Sequence, residues 1–153
     1  MATPSFYSLV KDILKTDEFK EMKKYKHHKN TNLFRHSIKV AYLCYKHHIK
    51  HNMKIDIREF VQGALLHDYY LYNLHGNKKH KLHLYKHPRI ALNNAIKKFP
   101  KLTKVQQDMI LRHMFPITLT PPKTMAGWLV CYYDKIASLS DRFKKRKTKK
   151  KEK

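Results

Sequence analysis

Glycine is almost absent from this chain, with three residues in 153. That scarcity excludes a phosphate cradle built on a glycine-rich loop, and neither GxGxxG nor GxxxxGK[ST] occurs. It also argues against a doubly wound parallel sheet, whose nucleotide-binding turns need glycine. Cysteine is scarcer still. Cys44 and Cys131 both stand in apolar stretches, which reads as two buried free thiols rather than a disulfide framework. No run of 18 apolar residues is present, so no membrane span is expected. The N-terminus lacks a basic start followed by an apolar stretch, so no signal peptide is expected and the reading is cytoplasmic. No serine or cysteine stands in a motif for an activated nucleophile. Acids are few, with 11 Asp+Glu against 34 Lys+Arg, and the formal net charge is +23.

What is present divides into two separate signals, charge and histidine. The eleven residues from Phe143 hold eight Lys/Arg and one Glu, while the preceding 142 hold 26 Lys/Arg and 10 acids. The tail alone therefore leaves most of the excess unexplained. A field of this sign favours phosphorylated partners, including nucleic acid. The tail, residues 143–153, is a like-charge block and is expected to be disordered, with at most weak contact to nucleic acid or an acidic surface. With 42% of the 153 residues apolar, a core is expected, and residues 1–142 should form a single domain.

Helical periodicity dominates, and the expected fold is an all-α bundle of about seven helices. Phe6, Leu9, Val10, Ile13 and Leu14 form one stripe. Asp17 is placed to cap a short second helix. A long helix is expected from Leu33 to about Asn52, and Asp56 is placed to cap another from Ile57 to about Tyr70. Residues 71–86 show no period and read as a loop, placed to act as a lid. Pro88 suits the first position of a helix ending near Phe99. Thr103 caps the next, to Met114, and a final helix spans about Lys123 to Arg142. No strand pattern of useful length is evident.

Twelve histidines outnumber the acids. The helix ending GALLHDYY is apolar on nearly all sides yet carries His67 and Asp68. A buried carboxylate needs a partner. His36 is followed at i+4, i+7 and i+8 by Val40, Leu43 and Cys44, so it points along the apolar stripe. His113 shares a face with Met109 and Ile110, and Asp134 shares one with Val130, Cys131 and Ala137. His87 stands immediately before Pro88. Any one of these reads as a satisfied core residue. Together they are nitrogen and oxygen donors converging inside a bundle, which is how all-α folds build metal sites. His48, His51, His75, His80 and His83 read as solvated, and His47 is too far along its helix to join His36. Of His27 and His28, His28 is the better candidate to line the site.

The order His36, His67-Asp68, Asp134, in the texts FRHSIKVAYL, GALLHDYY and LVCYYDKIAS, resembles the HD-domain metal-dependent phosphohydrolases. HPRIALNNA and ILRHM resemble the branch with two further His ligands, here His87 and His113, which includes the bacterial symmetrical dinucleoside tetraphosphate hydrolases. The resemblance covers about residues 25–142. It implies two divalent metal ions bridged by Asp68, with His36, His67, His87, His113 and Asp134 completing the shells. Iron or manganese is favoured on family grounds, although this donor chemistry also suits zinc, cobalt or nickel. It implies hydrolysis of a small phosphorylated metabolite, foremost a nucleotide, by a metal-activated hydroxide, with His67 and Asp68 as the catalytic pair. His28, Arg35, Arg89, Arg112 and Lys135 are the candidates to hold substrate phosphates. The basic residue that many relatives carry just after the HD pair is replaced here by Tyr69-Tyr70-Leu71-Tyr72, and the GYP signature of cyclic-dinucleotide phosphodiesterases is absent. The alternative function is a metallonuclease on the same residues or a basic RNA-binding protein.

Overall fold

The computed structural model describes residues 2–28, 30–73 and 80–151, and of residues 80, 81 and 144–151 the backbone alone. Among these residues there are seven α-helices: α1 Phe6–Leu14, α2 Asp17–Glu21, α3 Leu33–His51, α4 Ile57–Leu65, α5 His80–Lys98, α6 Lys104–Arg112 and α7 Met125–Lys151. A 3-10 turn, Met22–Lys24, follows α2 and leads into an antiparallel hairpin of β1, Lys26–His28, and β2, Thr31–Asn32. The expected all-α architecture is what the chain adopts.

The helix starts are written locally. Ser5, Thr16, Asn32, Asp56 and Thr103 each accept the backbone N–H three residues on. Each satisfies one donor that the first helical turn leaves unpaired. Thr103 and Gln106 complete a reciprocal capping box. The core then assembles from the apolar faces. α3 lies across α4 and α7, while α6 packs against α4, α5 and α7, and α1 covers α4. Leu33, Val40 and Cys44 of α3 meet Phe60, Val61 and Leu65 of α4, Met109 and Ile110 of α6, and Val130 and Ala137 of α7 in one buried cluster.

Asp108 ties α6 to the start of α7. It accepts from the backbone N–H groups of Lys123 and Thr124 and from the Thr124 hydroxyl, and it pairs with Arg112 at 3.2 Å. Gly127 makes this approach feasible, since a β-carbon there would lie 2.6 Å from Asp108 Oδ2 and 2.9 Å from the Pro122 Cβ.

Several expectations are corrected. Thr16, not Asp17, caps α2, and Asp17 becomes the first helical residue, where its charge faces the positive end of the helix dipole. α4 stops at Leu65 rather than near Tyr70. Leu66 to Tyr70 instead form a buried turn, closed by Tyr69 N–H to Leu66 O and Tyr70 N–H to Asp68 O. α5 begins at His80, so Pro88 is interior to it. Residues 80–86 are thus helix and not loop, and the ring leaves the Leu84 carbonyl without its helical partner. Residues 74–79, the rest of the expected lid, lie outside the described residues. The backbone of α7 stays helical through Lys151, where disorder is expected from the like charges. Lysine and arginine are good helix formers, and extending a helix that already exists needs no new nucleus.

Candidate metal centre

Five segments deliver the six expected donors to one place. His36 lies on the first turn of α3 after the hairpin, and His67 and Asp68 on the turn after α4. His87 lies in α5, His113 caps the end of α6, and Asp134 lies in α7. All six are buried: His36, His67 and His113 fully, Asp68 at 2%, His87 at 4% and Asp134 at 8% exposure.

The donors form two groups that share Asp68. Asp68 Oδ2 lies 3.6 Å from His36 Nε2 and 3.4 Å from His67 Nε2. Asp134 Oδ1 stands 2.9 and 3.5 Å from the same two nitrogens. Asp68 Oδ1 faces the other group, at 3.2 Å from both His87 Nε2 and His113 Nε2, which are 3.0 Å apart. Within each group one donor atom per residue lies within 4.8 Å of every other.

The ring orientations are set by the backbone. His67 Nδ1 donates to Ala64 O at 2.7 Å, His113 Nδ1 to Ile110 O at 2.8 Å, and His87 Nδ1 to His83 O at 3.1 Å. A carbonyl only accepts, so each Nδ1 carries a proton and each ring turns Nε2 inward, where a neutral ring offers a lone pair. The Nε2 atoms of these three rings therefore face the carboxylates, while His36 Nε2 hydrogen-bonds Asp134 Oδ1 at 2.9 Å. His67 Nε2 and Asp68 Oδ1 have no hydrogen-bond partner although buried. Such a cluster is costly unless something positive occupies its centre. The residues therefore fit metal ions, and imidazole with carboxylate suits a divalent first-row metal.

The electrostatics of the donor cluster agree. Burial works against a charge on His67, but the Asp68 and Asp134 carboxylates outweigh it and lift the ring's pKa to about 10. Burial likewise opposes ionisation of Asp68, yet His67 holds it well below the usual carboxylate range. Asp134 is held low in the same way by His36 and His67. Burial pushes His113 down.

A cavity of about 460 Å³ opens beside this cluster. Asp68, His87 and Asp134 form its floor, with Leu84, Met114, Ile117 and Leu139 as apolar walls, and His28, Lys135 and Arg142 also line it. His28 is where the sequence reading puts it. Lys135 reaches the cavity, but its ammonium already donates to His113 O and Cys131 O at 3.2 Å each and to Cys131 Sγ at 3.1 Å. It fixes the end of α6 rather than offering a free cation. The other candidate cations lie elsewhere. Arg35 is exposed and does not line the cavity. Arg89 and Arg112 line a separate groove, and Arg112 is held by Asp108 and by Pro121 O. Successive helical residues are about 100° apart, so the residue beside an inward ligand need not share its face.

Three participants were not expected from the sequence. His27 stacks on His36 with ring centroids 3.9 Å apart, and its Nδ1 stands 3.8 Å from Asp68 Oδ2. Burial, followed by His36, pushes its pKa well below the ordinary value. His83, read as solvated, lines the cavity, and its Nδ1 lies 2.7 Å from the Tyr72 hydroxyl. Arg142 is the third, and it had a legible signal: Asp134, Ser138 and Arg142 are spaced i, i+4, i+8 and all line the cavity. His75 and the side chain of His80 lie outside the described residues.

Comparisons with protein-family models, with curated proteins and with solved structures find no match to this chain. The likeness to HD-domain proteins rests on the chain's own motifs.

Proposed function

We propose that this chain is a metal-dependent phosphohydrolase of the HD type, acting on a small phosphorylated molecule, with nucleotides the favoured class. The observation that carries this reading is the sharing of Asp68, one oxygen toward each group of donors. Two divalent ions, iron or manganese, are the proposed cofactors. When bound, such a pair supplies Lewis acidity toward a phosphoryl oxygen and lowers the pKa of water toward neutrality.

The residues do the rest. Asp68 spans the two groups, while His36, His67 and Asp134 hold one side and His87 and His113 the other. The carbonyls of Ala64, Ile110 and His83 keep three of the rings aimed. Arg142 and His28, at the cavity wall, bind the non-reacting oxygens of the substrate. Leu84, Met114, Ile117 and Leu139 exclude water and take up the body of the substrate. A cavity of about 460 Å³ suits a molecule of nucleotide size and not a nucleic-acid duplex.

The test is anaerobic purification, elemental analysis, and an assay with manganese or iron against nucleotides, dinucleoside polyphosphates, cyclic dinucleotides and RNA. Two ions per chain and turnover of at least one small phosphate ester are expected, with turnover abolished by a chelator. A chain that takes up no metal, or that cleaves RNA alone, overturns the reading.

A further inference from the structure

α7 is apolar on two opposite sides. Its inner side places Val130, Asp134 and Ala137 in the core and the metal cluster. Its outer side carries Met125, Trp128, Tyr132, Ile136, Leu139 and Phe143, exposed at 65, 46, 57, 38, 48 and 60%. At 100° per residue these six fall within an arc of about 80°, opposite the inner face. The loop before α7 is pinned to this side by Phe115, whose ring meets Trp128 at 5.4 Å, and it carries Leu119 at 88% exposure. A contiguous apolar surface of this kind marks an interaction site.

We propose that the outer face of α7 docks the protein on an anionic lipid surface, the helix lying in the interface plane. Charge complementarity selects this occupant. Residues 144–151, whose backbone continues the same helix, hold seven Lys/Arg and no acid. Aromatic and aliphatic side chains along one line, with a basic cluster on the same helix, are what an acidic bilayer surface takes up. A second copy of the chain is disfavoured, because each copy carries +23. Single-stranded RNA would use the rings of Trp128, Tyr132 and Phe143 but nothing on Met125, Ile136 or Leu139. No described helix is long and apolar enough to cross a membrane, so the contact is peripheral. Leu139 belongs both to the stripe and to the cavity wall, so the cavity opens alongside the docked face.

Trp128 is the single tryptophan, so its fluorescence reports this face alone. The full chain is titrated with vesicles of phosphatidylcholine and of phosphatidylcholine mixed with phosphatidylserine, at low and high salt. Binding to the phosphatidylserine vesicles with a blue shift of Trp128, weakened by salt, is expected. The variant Tyr132→Ser/Ile136→Ser/Phe143→Ser should bind about tenfold more weakly with unchanged metal content. If its melting curve shows it unfolded, Tyr132→Ser alone carries the test with a smaller loss. Asp68→Asn should bind vesicles as the wild type does, which separates this proposal from the hydrolase reading. Absence of a Trp128 shift on phosphatidylserine vesicles overturns the proposal. So does equal binding by the folded stripe variant, which would leave only the tail charge. A shift with polyuridylate but not vesicles, or a lipid-free dimer that buries Trp128, overturns it too.

Discussion

Asp68→Asn separates the two donor groups. Asparagine keeps the size of the side chain but loses the charge and turns one oxygen into an NH2 that cannot ligate. The group of His36, His67 and Asp134 keeps three full donors, whereas the other keeps only His87 and His113. Metal content should fall from two ions per chain to one. At a free ion concentration about 100-fold above Kd, each bound ion adds about 2.7 kcal/mol to stability. For a chain of this size that is about 5–10 °C per ion. The metal-free variant is itself weakened by about 3–5 kcal/mol, because His67 loses one of its buried counter-charges. The clean readout is therefore the rise in Tm on adding manganese, about 10–20 °C in the wild type and half of that in the variant. His113→Ala should match it in stoichiometry, while His36→Ala leaves three donors on its side and should keep two ions, one bound more weakly. Scanning calorimetry with elemental analysis on the same samples measures both quantities. Two ions retained by Asp68→Asn, with an undiminished rise in Tm, would refute the shared-carboxylate argument.

The metal-free chain should show a distinctive pH profile. His67 is raised from 6.5 to about 10, so the stability it contributes is complete below pH 6.5 and drains away as pH climbs toward 10. Asp68 and Asp134 are lowered, so their contribution is present above pH 3.8 and is lost as acid drives pH down through their folded values. The Tm should thus peak between those limits and decline from pH 7 to pH 9, and saturating manganese should remove the alkaline decline; a metal-free Tm that climbs over that interval contradicts it. Gly127→Ala drives a methyl into Asp108 and Pro122 and should cost about 1–3 kcal/mol in chemical denaturation, against no change if the α6–α7 contact is loose. Arg142→Ala should raise KM for the phosphate ester about tenfold with kcat and metal content preserved. A fall in kcat alone would place the guanidinium elsewhere.

Much of this was legible beforehand because local chemistry and global packing agree. Asp56 and Thr103 mark helix starts by their side chains, and the stripes holding His36, His113 and Asp134 are apolar enough to face inward without ambiguity. Other features are decided by tertiary contact. No cap or breaker ends α4 at Leu65; the burial of Tyr69 and Tyr70, and the Asn94 side chain donating to Tyr69 O at 3.2 Å, hold the turn instead. The hairpin is three residues against two, too short to show an alternation. It nonetheless carries His27 to the buried His/Asp cluster beside His28. Pro88 misled because its ring suits a helix start, yet α5 accommodates it beyond its second turn. The arginines beside ligands failed for a geometric reason. Adjacency along a helix turns a side chain by about 100°, whereas a spacing of four, which would have found Arg142, returns it to the same face.

The three rings pinned to carbonyls three or four residues earlier have a consequence for the order of assembly. Each ring is locked by its own segment's backbone, so the conformational entropy of aiming the ligands is spent when the helices form, before any ion arrives. On the proposed reading, the scaffold would take up ions as a finished receptor rather than wrapping around them. Stripping the ions with a chelator should then leave the helical fold in place, and the same donors should accept any divalent metal that imidazole and carboxylate suit.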